Sequence, residues 1–419
     1  MPYDAPPTKT SYSWGDEAMT VPSSRDLPPA FVLGMDANGL GVARDLGRAG
    51  VRVVGVDDRP FSPGLRSRFV EPVLTPDRTA HAEEVVKKLL EKSKDFPDKG
   101  VLFPTADSYL ELLCAHWGEL SSAFHLPAPE PSIIQKLLNK RLQYEAAAKA
   151  GVPLPVTFFP GDEGEAESMA DRLTFPVLLK PYYSHAWQSP GGKKAIMVQD
   201  KADLISVLRI EGGKGTEVMV QDFITGPDDE IVSVAGYASR SGLISPLVAW
   251  RKERQFPLDF GVGCFVRTIR DDEAMELTER LVRAIGYIGI FEAEFKRDAR
   301  DQQMKLIEIN ARSWLQSSLG ERSGVDLVKV AYMDALGRLV EEPSFFHEGV
   351  RWWDAYSDLQ SYWELRGQGR ITTGRWIRSW LGSETFAYLA WDDPIPALAR
   401  WRNGLELPRL LVRLLRTGR

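Results

Sequence analysis

The chain of 419 residues is 43% hydrophobic and 26% charged, with a formal net charge of −6, the composition of a globular protein with room for two to four packed units. Its acids and bases are interspersed, which argues against a nucleic-acid or anionic-membrane binder, and no apolar run approaches the ~20 residues of a membrane helix. Only Cys114 and Cys264 occur, without a C-x-x-C pair, and the five histidines are scattered, so disulfide scaffolds and zinc sites are poorly supported, whereas a reducing cytoplasm fits.

Residues 1–28 are rich in Pro, Ser, Thr and Asp and predict a mobile leader, without the basic-then-apolar order of a signal peptide. Next, "AFVLGMDANGLGVARDLGRAGVRVVGVD" predicts strand, glycine-rich turn, amphipathic helix and strand. A helix around 79–94, the strand "GVLFPT" and a helix from Asp107 continue the alternation, so 29–126 reads as a doubly wound parallel sheet, a Rossmann-like unit. "PSIIQKLLNKRLQYEAAAKAGVPLP" predicts one helix stopped by Gly151 and the prolines. Strands at 176–180, 195–199, 217–222, 230–238 and 243–250 follow at hairpin-like spacings, which predicts antiparallel sheet with flanking helices. A helix over 271–285 leads into the strands "YIGIFEAEFK" and "MKLIEIN". Past residue 345 come seven of the twelve tryptophans, and the end of the chain, "RWRNGLELPRLLVRLLRTGR", is basic and amphipathic. That segment predicts a docked helix with a solvated basic face, or one lying on a membrane surface.

Chemistry concentrates in those two late strands. Alternation puts Glu292, Glu294 and Lys296 on one face with Phe291, Ala293 and Phe295 on the other. In the second strand Glu308, Asn310 and Arg312 share a face, with Ile307, Ile309 and Ala311 behind. Folding the hairpin about residue 301 sets Glu294 opposite Glu308. Facing carboxylates destabilise a ladder and raise one pKa unless something lies between them. A hard cation, Mg²⁺ or Mn²⁺, is the economical candidate, with Asn310 adding a neutral oxygen and Arg312 placed to meet developing negative charge. A solvent-exposed hairpin with Lys296 and Lys305 diluting the charge is the plain alternative.

A metal-bound phosphate needs cations. Lys180 ends the apolar strand "FPVLLKP", and Lys140 sits in the helix before it; Gly191 and Gly192 predict a flexible lid whose backbone N–H groups turn to phosphate. The bend in "EVMVQDFITGPDDEIVSV" offers backbone groups to an adenine edge and Glu230 to ribose hydroxyls, although a plain hairpin explains it equally well.

With the Lys180 strand, the "VQDFITG" bend and the "EAEFK…KLIEINAR" hairpin in chain order, residues 30–335 resemble the ATP-grasp superfamily, most of all its carboxylate–amine ligases of the D-aspartate ligase and D-alanine–D-alanine ligase type. The resemblance implies a Rossmann-like domain (29–126), a small lid subdomain (127–220), a large antiparallel-sheet catalytic subdomain (221–340) and a helical, Trp-rich C-terminal extension (341–419). It implies that Lys140 and Lys180 bind phosphates, and that Gln221, Asp222, Phe223 and Ile224 form the adenine hinge with Glu230 at the ribose. Glu294, Glu308 and Asn310 match the magnesium ligands and Arg312 the arginine that steadies a tetrahedral intermediate. Gln221 stands where many relatives carry glutamate. "RKERQFPLDFGVG" resembles the basic segment at the phosphate and carboxylate end, with Lys252 and Arg254 as the residues expected to act.

The implied reaction uses ATP to join a small-molecule carboxylate, an amino acid or derivative, to an amine through an acylphosphate, releasing ADP and phosphate. A cytoplasmic location is expected, and a homodimer is the common assembly of that group. Two other readings stay open: a kinase or non-catalytic ATP-binding protein on the same fold, and an NAD-linked oxidoreductase suggested by "GMDANGLG" and Asp57. In the ligase reading Gly39, Gly41 and Thr105 line the acceptor pocket instead.

Overall fold

The computed structural model describes residues 27–161, 163–183, 187, 194–338 and 345–403. The expected leader up to residue 26, Gly191 and Gly192, and the basic segment beyond residue 403 lie outside them. Short apolar runs buried on both faces suit a parallel sheet covered by helices. Among the first five strands β1 (Ala30–Leu33), β2 (Val53–Asp57) and β4 (Gly100–Pro104) are of this kind, while β3 (Val70–Leu74) and β5 (Phe124–His125) are less buried edges; the order is β3-β2-β1-β4-β5 and all pairs are parallel.

Here the glycines serve packing. Gly34 has φ +92°; a Cβ on Gly39 would lie 1.8 Å from the Gly34 carbonyl oxygen, and one on Gly41 2.4 Å from Ser317 Oγ. The helix Ala37–Arg48 therefore sits tight against both the turn and residue 317. Thr105 Oγ1 closes on the same turn, donating to the carbonyls of Leu33 (2.7 Å) and Gly34 (3.0 Å).

The predicted single helix over 131–149 is two helices, Pro131–Leu138 and Lys140–Lys149. Asn139 breaks it because its side chain competes for backbone donors, accepting from Arg141 N (3.0 Å) and Leu142 N (3.2 Å) as an N-cap. The next sheet is small and antiparallel. Its strands are β6 (Thr157–Phe158), β7 (Val177–Pro181), β8 (Ile196–Val198) and β9 (Val218–Asp222), in the order β6-β9-β7-β8. Val177, Leu179, Val198, Leu204 and Val220 form its own core.

The third sheet has seven strands: β10 (Ile231–Ala238), β11 (Val248–Phe256), β12 (Val262–Thr268), β13 (Gly289–Arg297), β14 (Met304–Asn310), β15 (Arg351–Trp353) and β16 (Thr385–Phe386). Their order is β14-β13-β10-β11-β12-β15-β16. The strand expected at 243–250 runs instead over Val248–Phe256. The Trp-rich extension is more than helical. Beside the helices Ala355–Gly367, Thr373–Trp380 and Ile395–Asn403 it supplies β15 and β16, which continue the large sheet past β12. Trp250 stacks on Trp314 at 5.4 Å between ring centres, in an apolar cluster that also holds Trp352 and residues of β1, joining the extension, the large sheet and the parallel sheet. Among the described residues no helix is long and apolar enough to cross a membrane.

Candidate functional site

β13 and β14 pair antiparallel with Glu294 opposite Glu308 and Glu292 opposite Asn310, the register expected from a hairpin centred on residue 301. Behind them Phe291, Ala293 and Phe295 are fully buried. One part of the alternation fails. A register shift next to Glu294 pairs Phe295 with Leu306, which leaves Ile307 as the extra residue of a bulge. Leu306 takes the core place, and Ile307, expected on the greasy side, lines the cleft beside Glu308.

Each facing carboxylate is held by a lysine. Lys140 Nζ donates to Glu308 Oε2 at 2.7 Å, and Lys252 forms an ion pair with Glu294. The helix break at Asn139 places Lys140 in the first turn of its helix, where its N–H also donates to the Tyr182 carbonyl (3.0 Å). Burial opposes both ammonium groups, but the adjacent glutamates outweigh it and raise both lysine pKa values. Lys140 in turn holds the Glu308 carboxyl well below its ordinary range.

Lys180 differs, because its partner is neutral. Its Nζ donates to Gln221 Oε1 (2.8 Å), while the Gln221 amide nitrogen donates to the Tyr144 hydroxyl (2.9 Å) and Thr157 Oγ1 (3.0 Å), so the amide oxygen is fixed toward the lysine. Burial, reinforced by the nearby Lys140, brings the Lys180 pKa down to about 8. Gln221, expected at the adenine hinge, thus orients Lys180.

These groups share one cleft between the small and large sheets, enclosing about 810 Å³ with its open mouth included. Lys140, Lys180 and Lys194 line it above Glu294 and Glu308, and Phe223, Ile224, Ile231 and Phe260 supply apolar wall. The hinge is partly as expected. Phe223 and Ile224 line the cleft, but the Phe223 carbonyl accepts from Arg300 Nη2 (3.1 Å), and the Asp222 carboxylate lies 3.8 Å from the same guanidinium, outside the lining. Glu230 ends the short turn Asp228–Glu230 and does not line the cleft; Asp228 does, because the turn carries the earlier acid inward.

Arg254 is a correction. Pairing between β11 and β12 slips on both sides of it, so Lys252 and Gln255, instead of Lys252 and Arg254, meet the cleft side. The Arg254 guanidinium bonds Asp358 (2.5 and 3.2 Å) and Ser379 Oγ (3.0 Å) and lies 4.2 Å over the Phe265 ring. Asp358, fully buried, also accepts from Trp353 (3.0 Å) and Trp376 (2.9 Å). This arginine anchors the extension.

Arg312 and Asn310 are not among the residues that line the cleft; their hydrogen bonds run to one another, to Asp107 and to Glu292. Arg312 Nε donates to Asp107 Oδ1 (2.6 Å) and its Nη2 to Asn310 Oδ1 (3.2 Å); Asn310 Nδ2 donates to Glu292 Oε2 (2.7 Å). Burial and the charge of Glu294 raise the Glu292 pKa. Glu292, Asp107, Tyr144, Asp228 and Gln255 join the site through contacts the sequence does not single out. Only Glu292 carried a signal there, as a third acid on the Glu294 face.

Two carboxylates and an amide oxygen on neighbouring strand positions are a donor set that suits magnesium, which is commonly held by one or two carboxylates while substrate oxygens and water fill its octahedron. Among the described residues no group of three or more His, Cys, Asp or Glu is arranged to hold a metal by itself. Asp57 is saturated: its oxygens accept from Met35 N, Arg59 N, Nε and Nη2, and Ser62 Oγ, which leaves none for a ribose and removes the basis of the NAD reading.

No family model matches the chain. It is 27% identical over 318 residues to a D-aspartate ligase of Enterococcus faecium, an alignment covering 73% of this chain and 76% of that one. Its fold is similar to that of N5-carboxyaminoimidazole synthetase from Staphylococcus aureus complexed with ADP (TM-score 0.60, 16% identity, 77% of this chain and 80% of that one). An L-amino acid ligase from Bacillus licheniformis is likewise similar (TM-score 0.57, 16% identity, 74% and 75%).

Proposed function

We propose, proceeding from the chain's membership of the ATP-grasp superfamily and its carboxylate–amine ligases, that the cleft between the small and large sheets binds ATP and that Glu294 and Glu308 form its floor. The protein is an enzyme that joins a small-molecule carboxylate to an amine with ATP. The D-aspartate ligase relative supports an amino acid as one substrate.

Phe223 and Ile224 would receive the adenine, and Asp228 is better placed than Glu230 for the ribose hydroxyls. Lys140 and Lys180 would meet the phosphates as two point charges in the cleft. Glu294, Glu308 and Asn310 would hold Mg²⁺ or Mn²⁺, which would supply positive charge against the phosphates. Lys252 holds the Glu294 carboxylate in place. Phosphoryl transfer asks chiefly for alignment and charge neutralisation, and these side chains provide both without an enzymic nucleophile. The γ-phosphoryl group passes to the substrate carboxylate, the amine attacks the acylphosphate carbon, and phosphate and ADP leave. Arg312, oriented by Asp107, faces the negative charge of the tetrahedral adduct.

The facing pair Glu294 and Glu308, each with its own lysine, carries this reading. Its test is phosphate release screened over pairs of acids and amines. Release that requires both partners and disappears in Glu308→Gln is expected; ADP formation with a single hydroxyl acceptor would indicate a kinase instead.

A further inference from the structure

Beside the cleft, and sharing Asp228 and Gln255 with it, lies a second cavity of about 1210 Å³, its open mouth included, between β11, β12 and the helices Ala355–Gly367 and Thr373–Trp380 of the extension. Five arginines line it. Two are neutralised: Arg254 by Asp358, and Arg267 by Glu253 at 2.6 Å. Arg251, Arg370 and Arg375 have no carboxylate partner among the described residues. Of the lining acids, Asp228 lies 3.8 Å from Lys296, and Asp229 is exposed at the rim.

Two further atoms sets point to an absent ligand. Gln255 is 3% exposed, yet neither its amide oxygen nor its nitrogen has a hydrogen-bond partner, and Arg251 Nε is buried in the same state. Unmade hydrogen bonds of buried groups are rare in native folds because desolvation goes uncompensated. Guanidinium forks match the paired oxygens of phosphate and carboxylate, and three of them converging on one space call for more than a single negative charge. We infer that this cavity is a second ligand site, for a small anion bearing at least two negative charges on phosphate or carboxylate groups. It is separate from the nucleotide's phosphate region, whose cations are Lys140, Lys180 and Lys194 on the other side of Gln255.

The test is calorimetric titration of the full chain with inorganic phosphate, pyrophosphate and citrate, which also separates phosphate from carboxylate chemistry. At least one anion should bind saturably. Its affinity should fall about tenfold in Arg375→Gln and in Arg251→Gln, the loss of one charge-assisted contact, and change little in Lys180→Gln. Arg375 is exposed, so its variant keeps the test valid if Arg251→Gln fails to fold. No saturable binding by any of the three anions overturns the inference. So does a loss in Lys180→Gln as large as in the arginine variants, since the anion would then sit in the nucleotide cleft.

Discussion

Lys180 should couple nucleotide binding to proton uptake. Its ordinary pKa of 10.5 falls to about 8 because burial strips water from the ammonium, Lys140 repels it and its hydrogen bond to Gln221 is to a neutral oxygen. A drop of this size corresponds to about 3 kcal/mol, at roughly 1.4 kcal/mol per unit. The sign follows from the protonation states. Between pH 8 and 10.5 the unfolded chain holds the proton and the folded protein does not, so this group's contribution to stability rises with pH across that window and is least favourable below it. A phosphate arriving at Lys180 reverses the penalty and draws the proton back. At pH 8.5 a group of pKa 8 is about three-quarters deprotonated, so nucleotide binding should take up about 0.7 proton there and about 0.1 at pH 7. Titration calorimetry with ADP in two buffers of different ionisation enthalpy reads this number directly. Lys180→Arg, always charged, should abolish the uptake while retaining binding. Equal heats in both buffers at pH 8.5, or an uptake that survives Lys180→Arg, would refute the assignment of Lys180 to the phosphates.

Glu308→Gln should cut phosphate release by at least about 100-fold and leave Lys140 as a buried charge without its partner, a loss of about 3–5 kcal/mol visible in thermal melts. Arg254→Ala should be destabilising by a similar amount, through Asp358 and the ring of Phe265, with nucleotide affinity nearly unchanged; a selective loss of affinity would restore Arg254 to the site. Gly39→Ala, whose methyl would meet the Gly34 carbonyl at 1.8 Å, should abolish soluble expression, whereas Gly118→Ala, with nothing within 4 Å, should melt within a degree or two of the parent.

The relation between sequence and site can be followed residue by residue. Glu294 and Glu308 were legible as a facing pair because the turn between their strands is short and strand side chains alternate with a strict period of two. Lys180 stood out as a lysine ending an apolar strand. Three of the misplacements come from local breaks in periodicity. The bulge beside Glu294 moved Ile307 into the cleft, the slips around Arg254 exchanged it for Gln255, and the cap at Asn139 divided a helix that reads as continuous. Asp107 and Tyr144 left no local trace, because their importance arises from partners more than 70 residues away: Arg312 for the one, Gln221 and Ile307 for the other.

Local pattern in the chain thus determined the parallel αβ start, the antiparallel middle and the acid and amide on the last strand of the hairpin, with the arginine two residues past its end, since hydrophobic period and turn chemistry are properties of neighbouring residues. Tertiary structure alone decided which lysine meets which carboxylate and that Gln221 orients Lys180. It also decided that β15 and β16 of the Trp-rich extension complete the large sheet. Those outcomes depend on distance and burial between segments far apart in the chain, where a carboxylate or an ammonium is stable only beside the group that compensates its lost water.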